Sequence, residues 1–491
     1  MAAPTSFCSP SRWGTGSGAC CRRGDPAREG AAAPRRRRYD VALASTNETL
    51  DSIDAPDPST RIAAPPKPGL LVILAANRPV TAAIGLRAGS VELGRGQPLG
   101  GAELDGRLSR RHAKVRFNGK QFVVVDLGSR NGTHADGEQI PAGTPHVVNK
   151  VIRAGDSLFV PVRDIGPVLR NGVLVGEASA GPRAGVEHGW VEGPALAGAM
   201  RAAANAARIG TTLHITGESG AGKEGLARAF HAAGPRPEGP FQAVNCATIP
   251  ESVAERLLFG AKRGAYSGAD ADVEGHVQAA HGGTLFLDEV AELSLPVQAK
   301  LLRVLETSEV LRLGASRAEQ VDLRFCSATH RDLRAQVAAG RLREDLFFRI
   351  ASPRVAAPPL RERPEEIPWL VQAEVERSAH GLAVHATFVE ACLLRLWPGN
   401  VRELLAEVRS AAQAALAAGA ALIEAKHLSD TAGTAFRDRP AARNSIEPPS
   451  RQRVTSVLSK YGGNVSAAAR ELGMHRTQLR RWLDRGGRND D

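Results

Sequence analysis

The segment from Thr212 to Glu224 reads Thr-Leu-His-Ile-Thr-Gly-Glu-Ser-Gly-Ala-Gly-Lys-Glu, and no other stretch constrains the fold so tightly. His214-Ile215-Thr216 ends an apolar strand, a glycine-rich turn follows at once, and residues with helical spacing come after it. Glycines let backbone N–H groups face an anion, and a helix N-terminus adds its dipole, so this is a phosphate-binding loop. Lys223 would reach the β and γ phosphates of a nucleotide. Position 224 is Glu, where the general pattern asks for Ser or Thr. A strand that feeds a loop and then a helix belongs to an α/β fold, and strand and helix segments alternate from about residue 189 to residue 428.

About 65 residues after the loop, Thr284-Leu285-Phe286-Leu287-Asp288-Glu289 is an apolar strand ending in two acids. Asp288 would hold Mg²⁺ through water, and Glu289 would polarise the water that attacks ATP. At 491 residues the chain exceeds what one core can organise, which suggests about three domains. Residues 1–66 are rich in Arg, Pro, Gly and Ala and are expected to form a disordered tail. The six cysteines (Cys8, Cys20, Cys21, Cys246, Cys326 and Cys392) are scattered, which excludes a disulfide framework and implies free thiols in a reducing cytoplasm. There is no long apolar run and no secretory pattern, so no membrane partner is expected. The formal charge of +11 favours an anionic partner.

Between residues 67 and 165, short apolar runs alternate with turn residues, the pattern of a β-sandwich. Ala113–Phe117 and Gln121–Val125 flank Asn118-Gly119, which signals a hairpin with both turn residues at positive φ. Two loop segments carry chemistry: Gly94-Arg95 followed by Ser109-Arg110-Arg111-His112, and Gly128-Ser129-Arg130-Asn131-Gly132-Thr133. In order and spacing these resemble the forkhead-associated (FHA) domain. The resemblance implies a site for phosphothreonine on a partner protein. Arg95 and Arg110 would supply charge-assisted forks and Ser109 a hydroxyl, while Asn131 would hold the peptide backbone. His112 is expected to brace the loops rather than touch the ligand. A linker spans residues 166–188.

The loop variant Gly217-Glu218-Ser219-Gly220-Ala221-Gly222-Lys223-Glu224 resembles that of the AAA+ ATPases that activate sigma-54 polymerase, and the likeness runs from about Val191 to His427. It implies an ATP-hydrolysing α/β domain with a helical lid, acting as a hexamer or heptamer ring. Asn245 matches the switch residue that restrains the catalytic glutamate. Ser327-Ala328-Thr329-His330 matches sensor I, with Thr329 on the nucleotide and His at 330 where Asn is commoner. Arg343 and Arg349, in Arg341–Arg349, match the fingers that reach a neighbour's ATP. Arg402, in Trp397-Pro398-Gly399-Asn400-Val401-Arg402, matches sensor II. Gly264-Ala265-Tyr266-Ser267-Gly268-Ala269 resembles the Gly-Ala-Phe-Thr-Gly-Ala loop with which these activators grip the sigma factor, Tyr and Ser standing for Phe and Thr. The Ala-rich stretch Ala411–Ala425 is expected to be helical.

A second linker covers residues 429–449. Residues 450–491 then form an all-α unit resembling the Fis-type helix-turn-helix. Asn464 is a good N-cap for a helix at Val465–Leu472, Gly473 makes the turn, and His475–Leu483 would be the second helix. From Arg451 to Arg485, eight basic residues stand against two acidic ones, which suits phosphate contacts. His475, Arg476, Thr477, Gln478 and Arg480 are the candidates for DNA contact, and Leu472, Leu479 and Trp482 those for the core. Together the three parts imply a cytoplasmic activator. It would bind enhancer DNA upstream and remodel the sigma-54 RNA polymerase holoenzyme with ATP and Mg²⁺, regulated by a threonine-phosphorylated protein. A phosphoprotein-binding DNA scaffold or repressor, with a ring that does not remodel sigma-54, is the competing reading. The 264–269 loop separates the two.

Overall fold

A computed structural model describes residues 65–96, 105–166, 183–185, 190–267, 269–435, 451–462, 464–471 and 479. Residues 1–64 of the expected 1–66 tail therefore lie outside the described residues.

Ten antiparallel strands build the N-terminal sandwich. They are β1 (Gly69–Ala75), β2 (Arg78–Gly85), β3 (Ser90–Leu93), β4 (Ala113–Phe117), β5 (Phe122–Asp126), β6 (Thr133–Ala135), β7 (Glu138–Gln139), β8 (His146–Val148), β9 (Ile152–Ala154) and β10 (Ser157–Val162). One sheet has the order β2-β1-β10-β9-β6-β7 and the other β3-β4-β5-β8. In β5 the side chains alternate between buried and half-buried, as expected of a strand with one covered face. Every residue of β1 is buried, so both its faces are covered. Leu70 and Val72 enter the sandwich core, while Leu71 and Ile73 join a second cluster shared with helices of the central domain.

The hairpin at Asn118-Gly119 departs from its expected geometry. Gly119 has φ +90°, but Asn118 is not at positive φ, and four residues separate β4 from β5. Asn118 Oδ1 instead accepts from the amides of Lys120 and Gln121 at 2.9 and 2.8 Å. The side chain thus closes a wider turn, as Asn does when it mimics a backbone acceptor. The two-residue turn with both φ positive lies between β1 and β2, at Ala76 (φ 49°) and Asn77 (φ 63°).

Within the expected 166–188 linker, β11 (Arg183–Gly185) pairs antiparallel with β12 (Trp190–Glu192). The central domain continues through α1 (Pro194–Ile209), β13 (Thr212–Thr216), α2 (Lys223–Ala232), β14 (Phe241–Asn245), α3 (Glu251–Phe259), α4 (His276–Ala279) and β15 (Thr284–Asp288). It is completed by α5 (Leu295–Thr307), the short ribbon β16 (Glu309–Val310) and β17 (Glu319–Gln320), β18 (Arg324–Thr329), α6 (Leu333–Ala338), α7 (Glu344–Ile350) and β19 (Arg354–Ala356). The five-stranded sheet is parallel with the order β14-β15-β18-β13-β19. The central strands β15 and β18 are buried almost throughout because apolar clusters cover both faces, while the edge strands β14 and β19 are partly exposed. The C-terminal ends of adjacent strands β15, β18 and β13 form one edge, where open α/β sheets bind their ligands.

A helical lid follows, with α8 (Ile367–Ser378), β20 (Ala383–Val384), α9 (Ala386–Leu393), α10 (Asn400–Ala417) and β21 (Leu422–Ile423). The Ala-rich stretch is helical only to Ala417. Gly419 at φ +66° ends the helix, and Leu422–Ile423 pairs in parallel with β20 instead. Glycine is the residue that most easily takes this left-handed conformation at a helix end.

At the C-terminus, α11 (Arg451–Lys460) and α12 (Val465–Glu471) share a small core of Val454, Val457, Ala468, Ala469 and Leu479. Asn464 caps α12: its Oδ1 accepts from the Ala467 amide at 3.2 Å. The candidate DNA contacts His475, Arg476, Thr477, Gln478 and Arg480 lie outside the described residues.

Candidate nucleotide and phosphopeptide sites

The end of β13 passes into the glycine loop, and α2 starts at Lys223. Gly220 (φ +74°) and Gly222 (φ +93°) are left-handed. A Cβ at Gly220 would lie 2.2 Å from the Gly399 carbonyl oxygen, so only glycine lets the lid come this close. The cleft beside the loop has a volume of about 480 Å³. Its lining combines polar groups, among them the loop, Asn245, Asp288, Glu289 and Arg402, with apolar Val191, Leu196, Leu370, Val401 and Leu405. Such a mixed lining suits a phosphorylated ligand with a flat base.

Lys223 is buried, and its ammonium donates to the carbonyls of Gly217 and Glu218 at 3.3 and 3.4 Å. It also lies 3.4 Å from Glu289 Oε1. The other oxygen of Glu289 accepts from Thr329 Oγ1 at 3.2 Å, from the His330 amide at 3.4 Å and from His330 Nδ1 at 2.8 Å. Burial works to raise the Glu289 carboxyl, but the His330 bond and the Lys223 charge prevail and hold it below its ordinary range. Glu289 itself sits at φ 53°. Asp288 is pushed the other way, first by burial and also by the Glu289 charge, while Lys223 and Arg402 oppose the rise.

Asn245 lies beside Asp288 in the sheet register. Its Oδ1 accepts from the Ala247 amide at 3.0 Å, so it caps its own turn and is not brought into a bond with Glu289. Thr329 and His330 hold that carboxylate instead. Glu224 lines the cleft and pairs with Arg228 at 2.7 Å along the helix. Asp288, a cleft carboxyl whose burial outweighs the neighbouring Lys223 and Arg402 charges, is a group whose chemistry would fit a divalent cation such as Mg²⁺.

The lid grips the loop largely through residues to which the sequence pattern assigns no role. Arg361 makes a bidentate pair with Glu218 at 2.9 and 2.7 Å. Asn400, fully buried, donates from Nδ2 to Glu218 Oε2 and to the Ser219 carbonyl at 3.1 and 3.0 Å, and its Oδ1 accepts from the Leu360 amide at 2.8 Å. Buried Arg363 donates to the Ala221 carbonyl at 3.0 Å and to Glu366 at 2.8 Å. Arg402 donates to Ser219 Oγ at 3.0 Å. Of these, only Arg402 is given a role by the family resemblance. Asn400 stands two residues before it in the same motif, and its signal would have been a helix-starting Asn that must take φ 51°.

Arg343 and Arg349 do not line the cleft of their own chain. Arg343 pairs with Asp345 at 2.8 Å on the surface, and Arg349 donates to the Leu305 carbonyl at 2.6 Å. In the 264–269 segment, Gly268 lies outside the described residues. The Gly264 amide donates to the Ala269 carbonyl at 2.9 Å, closing a tight loop. The Tyr266 hydroxyl accepts from Arg256 at 2.9 Å.

In the sandwich, Arg95, Ser109 and Arg110 come from the loop between β3 and β4, and Asn131 from the loop between β5 and β6. Arg95 donates to the carbonyls of Leu108 and Gly106 at 2.8 and 3.0 Å, and Arg110 is exposed. Ser109 Oγ accepts from the Arg130 amide at 3.1 Å, and Asn131 Nδ2 donates to the Arg107 carbonyl at 2.7 Å. His112 is fully buried between the loops. Its Nδ1 accepts from the Ser109 amide at 3.1 Å, which fixes the proton on Nε2, and that atom donates to the Gly132 carbonyl at 3.1 Å.

Among the described residues, Cys246, Cys326 and Cys392 are free and buried, and burial pushes the Cys246 thiol up to about 12. Among the described residues no helix is long and apolar enough to cross a membrane.

Three family models match the chain: the sigma-54 interaction domain at residues 191–356, the FHA domain at 92–153, and the bacterial regulatory protein, Fis family, at 446–486. Transcriptional regulatory protein ZraR of Klebsiella oxytoca is 40% identical over 299 residues, covering 58% of this chain and 67% of that one. The Nif-specific regulatory protein of Herbaspirillum seropedicae is 47% identical over 199 residues, covering 40% of this chain and 37% of its own length. Hydrogenase transcriptional regulatory protein HoxA of Cupriavidus necator is 39% identical over 312 residues, covering 60% and 64%. The chain thus spans between 37% and 67% of the length of these relatives. The crystal structure of NtrX from Brucella abortus in complex with ADP is 32% identical, covers 59% of this chain and 67% of that one, and superposes with a TM-score of 0.44.

Proposed function

Because this chain belongs to the family of sigma-54-dependent transcriptional regulators, we propose that it is an ATP-driven activator that hydrolyses ATP to ADP and phosphate in order to remodel the sigma-54 RNA polymerase holoenzyme. The observation that carries this reading is the convergence of Lys223, Asp288, Glu289 and Arg402 on one cleft at the ends of adjacent parallel strands.

The residues divide the work by their chemistry. The amides at the start of α2 have no partners within the helix and receive phosphate oxygens, and Lys223 leaves its carbonyl partners to meet the β and γ phosphates. Asp288 would hold Mg²⁺, and the ion would supply positive charge against the phosphates. Glu289 polarises the attacking water once it is released from Lys223, Thr329 and His330. Arg343 and Arg349 reach the nucleotide of the neighbouring subunit in a hexamer or heptamer, so turnover depends on assembly. Thr329 and Arg402 report the state of the phosphates to the sheet and the lid. The 264–269 loop grips the sigma factor, the C-terminal helices hold enhancer DNA through residues 475–480, and the sandwich reads a threonine-phosphorylated protein through Arg95, Ser109, Arg110 and Asn131. Such a regulator works in the cytoplasm.

Promoter opening with purified sigma-54 polymerase, enhancer DNA and ATP tests the reading. Open complexes should form with the native chain and vanish with Glu289→Gln, which keeps nucleotide binding. The Tyr266–Arg256 bond favours a second reading, in which the loop is held down and the chain serves as a phosphoprotein-binding DNA scaffold or repressor. ATP turnover without any open complexes would support that one instead.

A further inference from the structure

The outer face of the six-stranded sheet is covered by the lid. Leu71, Ile73 and Val160 share one buried cluster with Val371, Phe388 and Val389. Polar contacts fasten its margin. Trp369 Nε1 donates to Thr81 Oγ1 at 3.2 Å, Asn77 Oδ1 accepts from the Ala386 amide at 2.7 Å, and Arg153 meets Glu390 at 2.5 Å with both side chains largely buried.

One contact at this margin continues in both directions. Asp156 Oδ1 lies 3.5 Å from Arg107 Nη1 and 3.5 Å from His385 Nε2. On the sandwich side, the Arg107 carbonyl takes the Asn131 bond, and the Arg107 amide donates to Asp105 Oδ1 at 2.8 Å. Asp105 Oδ2 in turn accepts from the Asp156 amide at 2.8 Å. On the lid side, His385 caps α9. Its Nδ1 accepts from the Thr387 amide at 3.3 Å, which places the ring proton on Nε2, facing Asp156. The end of α9 is tied to buried Trp397, whose Nε1 donates to the Cys392 carbonyl at 2.7 Å, and three residues later Asn400 holds the glycine loop.

We infer that the contact between sandwich and lid couples the phosphothreonine site to the nucleotide cleft, with Asp156 as the group shared between them. The inference rests on the phosphothreonine reading and deepens it. A phosphate dianion beside Arg95 and Arg110 draws the Arg107 guanidinium, which is 58% exposed and held to Asp156 at 3.5 Å. Asp156 then loses its cationic partner on the sandwich side and shifts toward His385, with the Asn77 side chain still beside it. The cap of α9 tightens, and the lid carries the change to Asn400 and the loop. The lid has one packed cluster running through it, so a shift at one end is not absorbed locally.

Coupling of this kind is reciprocal, which gives the test. The full chain is titrated with a fluorescent ATP analogue, with and without a saturating phosphothreonine peptide selected from a degenerate library, its unphosphorylated twin as control. The peptide is then titrated with and without nucleotide. The expected result is a shift of about 5-fold or more, equal in both directions. His385→Gln, on the lid, should leave peptide affinity unchanged without nucleotide and bring the shift below about 2-fold. Asp156→Asn should do the same from the sandwich side. No shift in the native chain, or a full shift retained in both variants, overturns the inference. If no library peptide binds better than its unphosphorylated twin, the phosphothreonine reading falls, and the inference with it.

Discussion

Replacing Asn400 is the sharpest probe of how the lid holds the glycine loop. The side chain is fully buried and supplies one acceptor to Leu360 N–H and donors to Ser219 and Glu218, from a backbone at φ 51°. Asn400→Ala leaves the buried Leu360 amide without a partner, at about 1–3 kcal/mol. The Ser219 carbonyl is partly accessible and recovers some of its loss from water, so its share is about 0.5–1 kcal/mol. Glu218 keeps its bidentate Arg361 and adds little. Alanine in the left-handed region costs roughly a further 1 kcal/mol. The expected destabilisation is about 3–5 kcal/mol, a large part of a domain's stability. Asn400→Gly loses the same hydrogen bonds but not the backbone term, so it should lie about 1 kcal/mol above the alanine variant. Urea unfolding followed by tryptophan fluorescence, together with nucleotide affinity, measures both. The required order is Asn, then Gly, then Ala. If alanine equals or exceeds glycine, or both lie within about 1 kcal/mol of the native chain, the argument from the buried amide is wrong.

His330→Ala should change turnover about tenfold while nucleotide affinity moves less than about twofold, because it removes a bond to Glu289 and none to the loop; His330→Asn should restore most of it, as read by phosphate release. Arg349→Ala should lower turnover by about 10³–10⁵, and mixing it with an equally inactive Lys223→Ala chain should recover activity, since some subunit boundaries then pair an intact loop with an intact arginine. Mixed rings as inactive as their parents would refute action across the boundary. Burial holds the His214 imidazole down to about 4, from an ordinary value near 6.5, so the unfolded chain takes up a proton first as pH falls. Stability should therefore decline between about pH 6.5 and 4, by up to roughly 3 kcal/mol from this group, and His214→Gln should flatten that part of a denaturation–pH curve.

The sequence makes some of this structure plain and hides the rest, for reasons that differ by residue. Lys223, Asp288 and Glu289 are legible because a glycine loop and a strand ending in acids are local patterns, and the parallel sheet brings their ends together without further instruction. The grip of Arg361 and Arg363 on the loop is not legible, because each partner lies more than 140 residues away and no local pattern records it, and the motif that contains Asn400 does not say what its side chain holds. Asn118-Gly119 misleads for the opposite reason. The dipeptide favours a two-residue turn, but Asn118 spends its side chain on the amides of Lys120 and Gln121, and the loop widens. The docking of sandwich on lid leaves one trace, the unbroken Gly-Leu-Leu-Val-Ile-Leu-Ala of β1, since a strand with one wet face would alternate.

That strand sets a rule for handling the molecule. A fragment cut near residue 166 would keep every loop needed to recognise a phosphopeptide, yet it would turn Leu71, Ile73 and Val160 out into solvent as one greasy panel. Panels of that kind draw copies together. Measurements on the excised piece would then record clumping as much as recognition, and a soluble version would need polar residues painted over that side first.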